Sequence, residues 1–284
     1  MGRVLGVLLL LAPALARAEG APIAPPATDL LGPRGFALAG ALRASGTSND
    51  TIFLNPAGLF AAERYTLAAQ GLYDFQGDQS SFGASIADST AGPVAAGLAY
   101  DRLWLGPSDA RTTANMFNLA LAFQLSPMVS LGASGKLIHS HDPDGSIHNG
   151  VTPDVGILLH ADPIEIGVAA YNLVSINSPL APRQYGAGVG VTLPYNLRPE
   201  ADVVLDDTTQ TTLKFKIEAG LEWAINGMFT ARAGYVEDRV LNQRAVTGGL
   251  AVSIAGFNIE GGYRHELAGS DPARLAILGI SIPL

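Results

Sequence analysis

Apolar and polar residues alternate one by one along most of the chain from residue 65 onward. The clearest example runs from Leu213 to Glu222, where Leu, Phe, Ile, Ala and Leu occupy every second position and Lys, Lys, Glu, Gly and Glu lie between them. Because successive side chains of a strand point to opposite faces, this pattern predicts strands with one apolar and one polar face. We therefore predict an all-β fold for this region.

The alternation predicts fourteen strands, whose apolar faces could be buried in a soluble sandwich or turned toward lipid in a barrel. After Glu19 no uninterrupted apolar stretch is long enough for a membrane-spanning helix, and a bilayer otherwise admits only closed barrels. We predict a fourteen-stranded antiparallel transmembrane β-barrel over residues 65–284. The strands are expected at residues 65–75, 79–87, 93–103, 113–125, 128–139, 151–161, 164–173, 183–193, 197–206, 211–223, 227–236, 242–254, 256–265 and 274–283.

The connections between these strands fall into two alternating classes. One class is short, as at Ser126-Pro127 and Asp162-Pro163, and the other is mostly longer, as at residues 105–112 and 140–150. Short periplasmic turns and longer outer loops are typical of bacterial outer-membrane barrels, as is an even strand number. The pattern predicts that both ends of the barrel domain lie in the periplasm of a Gram-negative bacterium.

Composition agrees with a membrane barrel. Hydrophobic residues make up 48% of the chain and charged residues only 15%, against about 25% in a typical soluble domain. The 33 glycines are expected to relieve crowding in curved strands. The net charge of −8 argues against a nucleic-acid partner, and the absence of cysteine excludes disulfides and thiol chemistry.

The first eighteen residues have the pattern of a secretory signal peptide. Arg3 is followed by an apolar run from Val4 to Leu15 and by the small-residue cleavage motif Ala16-Arg17-Ala18. The alternative, an uncleaved anchor helix, needs about 20 apolar residues, more than this run provides. We predict that residues 1–18 are removed on export and that the mature protein lies in the outer membrane.

Residues 19–64 do not alternate and are predicted to form a plug, or hatch, inside the barrel. A proline-rich lead is followed by one predicted helix from Gly35 to Ala44 and then by a loop from Ser45 to Thr51. An apolar run then ends in Asn55-Pro56-Ala57-Gly58, a combination that favours a turn. More than forty such residues exceed what a linker to a barrel requires, which favours a place in the lumen.

The segments Gly32-Pro33-Arg34, Gly40-Ala41 and Asn49-Asp50-Thr51 and the motif Leu54-Asn55-Pro56-Ala57-Gly58-Leu59 resemble the N-terminal signature of FadL-type outer-membrane proteins. That superfamily comprises long-chain fatty-acid transporters and PorV-like proteins. The resemblance implies a fourteen-stranded barrel with a lumenal hatch. It also implies passive transport of small hydrophobic molecules, with outer-membrane lipids around the barrel. The alternative is a structural or docking subunit that binds other envelope proteins of a secretion or motility machine.

Charged residues at polar strand positions are predicted to face the lumen. Two interpretations remain open: a mixed network that holds the hatch, with Arg34 and Arg43 as partners of the acidic residues, or a selectivity lining for an ionic solute. The predicted lumen charges are Asp101, Lys136, Asp154, Glu165, Glu200, Asp202, Lys214, Lys216, Glu218, Glu222, Arg232, Glu260 and Arg264.

Other candidate chemistry is sparse. His139, His141 and His148 lie near Asp142 and Asp144, a group that is either a solvated outer loop or a divalent-metal site. Neither of the other two predicted barrel histidines, at positions 160 and 265, belongs to a recognisable catalytic triad. We predict no enzyme activity and no cofactor.

Overall fold

The computed structural model describes residues 31–47, 49–61, 65–76, 79–90, 92–209, 212–267 and 272–284. Fourteen antiparallel strands form a closed barrel in which each strand pairs with its neighbours in sequence and β1 pairs with β14. This confirms the predicted architecture. The strands are β1 Tyr65–Asp74, β2 Gln79–Asp88, β3 Val94–Leu105, β4 Thr112–Ser126, β5 Val129–His141, β6 Ile147–Ala161, β7 Ile164–Tyr171, β8 Gln184–Val191, β9 Leu197–Asp206, β10 Lys214–Ala224, β11 Phe229–Asp238, β12 Gln243–Ile254, β13 Phe257–Glu266 and β14 Arg274–Pro283.

The two faces of each strand meet different surroundings, as β4 shows. Phe117 and Leu119 on the outer face are 47% and 53% exposed, whereas Asn118 and Ala120 on the inner face are fully buried. Apolar side chains therefore cover the outside of the barrel, where lipid would lie. Among the described residues, no helix is long and apolar enough to cross a membrane.

The connections divide the barrel into two ends. Residues 127–128, 162–163 and 255–256 form tight turns at the end where β1 begins and β14 finishes, and the opposite end carries longer loops such as residues 172–183. Following the orientation predicted from sequence, we call these the periplasmic end and the outer end.

The hairpin of β5 and β6 differs from the sequence-based prediction. Residues 140–150 were expected to form a loop, but strand pairing continues to His141↔Ile147 and leaves only residues 142–146 in the turn. The prediction was wrong because Asp142-Pro143-Asp144-Gly145 suffices for a tight turn, so the polar residues on either side remain in the ladder. His139 and His141 therefore lie on β5, and His148 lies on β6.

The described residues before β1, 31–47 and 49–61, lie inside the barrel, and we call them the hatch. The hatch contains helix α1 (Pro33–Ala37), helix α2 (Thr51–Leu54) and the 3₁₀ helix Pro56–Ala61. Of the predicted hatch segment, residues 19–30, 48 and 62–64 lie outside the described residues, as does the predicted signal peptide.

The single helix predicted from Gly35 to Ala44 is not present. Helix α1 ends at Ala37 because Ala39 and Gly40 adopt positive φ values of 56° and 92°, and the Gly40 N–H bonds back to the Gly35 carbonyl at 2.9 Å. A side chain on Gly40 would also collide with the carboxylate of Glu218 on β10. The contact with the barrel wall thus favours a turn where local propensity alone allows a helix.

Glycines line the wall where the hatch touches it, which refines the expectation that they only relieve crowding. A Cβ atom placed on any of eight inward-facing glycines would approach a hatch atom to within 2.7 Å or less. The hatch backbone or side chains therefore occupy the volume that wall side chains would need. This glycine belt consists of Gly97, Gly132, Gly156, Gly167, Gly186, Gly234, Gly249 and Gly279.

Candidate functional site

The lumen has an apolar side, formed by the inner faces of β3, β4 and β5. Leu103, Met116 and Ile138 belong to one buried cluster together with Ile52 and Leu54 of the hatch. Inward positions of an aqueous channel would be polar, so the apolar residues here mark a separate sector of the lumen. We call this surface the apolar sector.

An outer loop completes the apolar sector at the outer end. Leu180, in the connection between β7 and β8, is 1% exposed and joins the same cluster, and Ile176 packs against it. The Asn172 side chain holds this loop through a 2.6 Å hydrogen bond to the Pro182 carbonyl. The loop therefore lies over the hatch on the side from which an external solute would arrive.

The opposite side of the lumen is charged and binds the hatch through Arg43. The Arg43 guanidinium pairs with Asp202 on β9 at 3.0 Å and with Glu218 on β10, and it donates to the Tyr171 hydroxyl at 2.9 Å. Lys216 extends the network by pairing with Glu218 at 2.9 Å. The prediction that Arg43 would find acidic partners is confirmed.

Arg34 makes a second ionic connection nearer the periplasmic end. Its Nε and Nη2 atoms donate to the two oxygens of Glu222 at 2.8 and 2.9 Å, a bidentate geometry that fixes orientation as well as distance. Arg232 also donates to Glu222, at 2.8 Å, and pairs with Glu260. These four residues border a chamber of about 210 Å³ between the hatch and the wall.

The remaining predicted lumen charges occupy several environments. Glu200 accepts the backbone N–H groups of Ala44 at 2.7 Å and of Ser45, so it also binds the hatch. The others lie within the wall: Lys136 pairs with Asp154 at 2.9 Å, Glu165 with Arg198 at 2.8 Å and Arg264 with Glu266 at 3.9 Å, and Lys214 lies half-buried at the outer start of β10.

Asp101 stands apart from the charged side. It is 3% exposed on β3, between Leu103 and the small residue Ala99, and its Oδ2 atom has no hydrogen-bond partner among the described residues. A buried carboxyl oxygen without a partner is costly, so Asp101 is an exception on the inner face of β3, whose other inward residues are apolar.

Burial and charge pairing change the pKa values of hatch residues in opposite directions. Burial alone would lower the pKa of Arg43, but attraction to Glu218, Tyr171 and Asp202 outweighs it and the pKa is raised well above the usual value. Burial raises the pKa of Asp50, although its carboxylate accepts the N–H groups of Gly35, at 3.0 Å, and of Gly32. The hatch thus contains arginines that stay charged and one carboxyl group, that of Asp50, whose ionised form is destabilised by burial.

The motif Leu54-Asn55-Pro56-Ala57-Gly58-Leu59 crosses from the charged side to the apolar sector. The Asn55 Nδ2 atom donates to the Arg43 carbonyl at 2.8 Å and to the Ile157 carbonyl on β6 at 3.1 Å. Its Oδ1 atom accepts the Ala57 N–H at 3.2 Å. One amide therefore closes a turn and joins two hatch segments to the wall, while Leu54 and Leu59 are buried in the apolar sector.

The histidines near the outer end form two pairs. His139 and His141 on β5 have their Nε2 atoms 2.9 Å apart, and His148 on β6 lies 3.0 Å from Asp142. The described residues contain no group of three or more side chains placed to bind a metal ion together. His160 contacts Glu165 at 3.0 Å, and His265 lies 3.4 Å from the Tyr263 hydroxyl.

Sequence reasoning missed several residues that position the hatch. The Tyr171 hydroxyl donates to the Leu54 carbonyl, and Asn118 donates to the Ile52 carbonyl at 3.0 Å. Each occupies an inward position of its strand, and so does every member of the glycine belt. A glycine or an uncharged polar residue at an inward-facing strand position could therefore have been used to predict contacts with the hatch.

The hatch-filled barrel has counterparts among solved structures, although no family model and no curated protein matches the sequence. The Ralstonia pickettii toluene transporter TbuX has a TM-score of 0.68 at 13% identity, over 89% of this chain and 98% of that one. The P. putida toluene transporter TodX has a TM-score of 0.68 at 12% identity, over 89% and 98%. A Pseudomonas aeruginosa FadL homologue has a TM-score of 0.67 at 11% identity, over 88% and 97%.

Two of these three proteins are named as toluene transporters, and all three share the architecture described above. The matches cover the barrel and nearly the whole length of each matched chain, which extends the resemblance noted in the N-terminal motif to the architecture. The chain has the fold of the FadL-type outer-membrane barrels.

Proposed function

We propose that this protein carries small hydrophobic molecules passively across the outer membrane, with the hatch as its gate. The observation that carries the proposal is the apolar sector, which runs from the outer loop at Leu180 along β3 and β4 to the hatch residues Ile52 and Leu59. The proteins that share the fold include toluene transporters and a monoaromatic hydrocarbon channel. A hydrophobic solute would find compatible side chains along this path.

The charged side supports a different role within the same mechanism. Its carboxylates are engaged by Arg34, Arg43 and hatch N–H groups, so they are suited to retaining the hatch rather than to attracting a free ion. The signs are mixed, and a selectivity ring would need one sign. We therefore favour the interpretation in which these residues anchor the hatch.

The distribution of contacts suggests how the gate opens. Residues Ile52–Leu59 meet the apolar sector largely through van der Waals contacts, with Asn118 supplying a hydrogen bond, whereas the Arg43 side is held by ion pairs. Movement of 52–59 away from β3 and β4 would open a passage while Arg43 stays bound. Residues 1–18 would direct export, and the apolar exterior suits an outer-membrane location.

Uptake of radiolabelled toluene by intact cells tests the proposal, in a Gram-negative host that lacks its own hydrocarbon channel. Expression of the protein should accelerate uptake, and Met116→Gln, which places a polar group in the apolar sector, should slow it. Met128→Gln is the matched control because Met128 is 58% exposed in a periplasmic turn. If expression leaves uptake at the rate of the empty host while the folded barrel is present, the proposed function is wrong.

A further inference from the structure

A row of polar side chains crosses the outer face of the barrel near the outer end. The register pairs Arg102 on β3 with Asn115 on β4, and Asn115 with His139 on β5. These residues occupy outward-facing strand positions, as Phe117 and Leu119 do, so they lie on the outer surface of the barrel among its apolar side chains. One outward position further along β3 is Trp104, whose ring lies 5.5 Å from the Arg102 guanidinium carbon. Aromatic rings and long cationic side chains favour the level of lipid headgroups.

This row offers hydrogen-bond donors and a positive charge that has no counter-charge among the described residues. No carboxylate among the described residues lies within ion-pair distance of Arg102. The Tyr100 hydroxyl donates to the Asn115 Oδ1 atom at 2.9 Å, which leaves the Asn115 amide N–H groups as donors. Asp142, at the tip of the neighbouring hairpin, is already bound by Thr112 at 2.9 Å and by His148. The surface therefore suits an anion.

An apolar groove of about 410 Å³ begins one outward position toward the periplasmic end from this row. Its floor is formed by the small residues Ala69 on β1 and Ala84 on β2, which are paired in register. Larger side chains, including Leu67, Leu98 and Phe117, form its rims. The groove is wide enough for a hydrocarbon chain and faces the region that lipid would fill.

We propose that Arg102, Asn115 and the groove form one binding site for a phosphorylated glycolipid of the lipid A type, the anionic lipid of the leaflet at the outer end. Guanidinium groups bind phosphate oxygens in bidentate fashion, and Trp104 holds the Arg102 side chain beside the row. The acyl chain lies over Ala69 and Ala84. The cation and the apolar groove lie side by side, which favours a lipid as the occupant. A free phosphate ion would contact Arg102 and Asn115 but would leave the groove empty. A second protein copy would cover the groove but would leave Arg102 without a counter-charge.

Native mass spectrometry of the full detergent-solubilised chain tests this site, with lipid A as the probe and phosphatidylcholine as the comparison lipid. We expect one tightly held lipid A, with affinity about tenfold lower in Arg102→Gln, the loss typical of one charge-assisted hydrogen bond. Ala84→Leu, which fills the groove, should lower the affinity severalfold. Arg183→Gln and Ala219→Leu, which make the same changes elsewhere on the outer loops and outer face, should leave it unchanged.

Folding of every variant is checked by heat-modifiable mobility on gels, so that lost binding cannot reflect an unfolded barrel. Equal lipid A affinity in Arg102→Gln and the unaltered chain would overturn the proposal. Displacement of the lipid by millimolar inorganic phosphate, with no effect of Ala84→Leu, would instead identify a free-anion site. If Ala84→Leu converts a dimer to a monomer without changing lipid binding, the groove binds a second copy of the chain, and the proposal of a lipid site is overturned.

Discussion

The guanidinium of Arg43 lies 3.0 Å from the carboxylate of Asp202, and both side chains are shielded from solvent almost completely. One residue belongs to the hatch and the other to β9, so this ion pair connects the plug with the wall. A buried charge is tolerated only while its partner is present. The pair is therefore a point at which a single substitution should release the hatch.

Replacing Arg43 with leucine should loosen the hatch, because Asp202 would remain buried without a counter-charge and Glu218 would keep only Lys216. Breaking a buried pair from one side typically costs about 3–5 kcal/mol, enough to undock a marginally held segment. In planar bilayers the unaltered protein should conduct almost no ions, and the Arg43→Leu variant should show frequent channel openings. Arg183→Leu, in an outer loop, is the control, and equal conductance in Arg43→Leu and this control would show that the ion pair does not hold the hatch.

Asn55→Ala should expose the hatch to protease. The substitution removes three hydrogen bonds, of which the two to the carbonyls of Arg43 and Ile157 are worth roughly 2 kcal/mol together. Cleavage by trypsin after Arg43, which is 1% exposed, should accelerate by about thirtyfold at that energy. Asn226→Ala, in an exposed periplasmic turn, should have no such effect. Unchanged protection at Arg43 in the Asn55 variant would contradict the assigned role.

The glycine belt predicts a contrast between two alanine substitutions. A methyl group on Gly167 would overlap the Arg43 carbonyl oxygen, whereas one on Gly135 would meet nothing within 4 Å. Gly167→Ala should therefore destabilise the docked hatch by about 1–3 kcal/mol, the usual range for overpacking. Gly135→Ala should leave thermal unfolding unchanged. Similar thermal shifts in both variants would show that the wall accommodates the added volume.

The barrel could be predicted from sequence because lipid and lumen impose opposite requirements on successive residues. Leu213 to Glu222 alternates without interruption, and the observed strand β10 has the predicted orientation of its side chains. The end of a strand was harder to predict. Residues 147–150 pair with β5 although their polar character resembles that of a loop.

The hatch could not be derived in the same way, since its conformation depends on the wall around it. Ala39 adopts a positive φ of 56° because the chain turns beside β10 and β11, a constraint that no local pattern contains. The paired roles of Asn55 and Tyr171 likewise require knowing that β6 and β7 lie beside the hatch. The resemblance in the motif at 54–59 identified the segment without revealing its contacts.

Docking of the hatch should weaken as pH rises, through Asp50. Burial raises the pKa of Asp50 in the docked hatch, so the docked state binds the proton more tightly than the undocked state does. The stabilisation of the docked hatch by protonated Asp50 is thus fully present below the ordinary pKa of this group, and it is lost as pH rises through the raised pKa. Hydrogen exchange of hatch amides between about pH 4 and 7, corrected for intrinsic exchange rates, measures this trend.

Asp50→Asn should remove this component of the pH dependence, because an amide does not titrate in this range. Asp109→Asn, in an exposed outer loop, is the matched control and should retain the slope of the unaltered chain. Identical pH profiles for the two variants would assign the trend to another group.

The central claim is that hydrophobic molecules pass only when the hatch moves, and a reversible lock on the hatch tests it most directly. The chain contains no cysteine, so a designed pair can form without competition. Ile52 of the hatch and Gly97 of β3 suit the purpose, because a Cβ on Gly97 would lie 2.7 Å from the Ile52 Cγ1 atom, whose place a cysteine sulfur would take. This cross-link joins the segment 52–59 to the strand from which it is proposed to move.

Toluene uptake is then measured in the Ile52→Cys/Gly97→Cys variant before and after reduction, with each single variant as a control. The account predicts slow uptake in the oxidised protein and recovery to the rate of the single variants on reduction. Equal uptake in the oxidised and reduced states, with the disulfide verified, would contradict it.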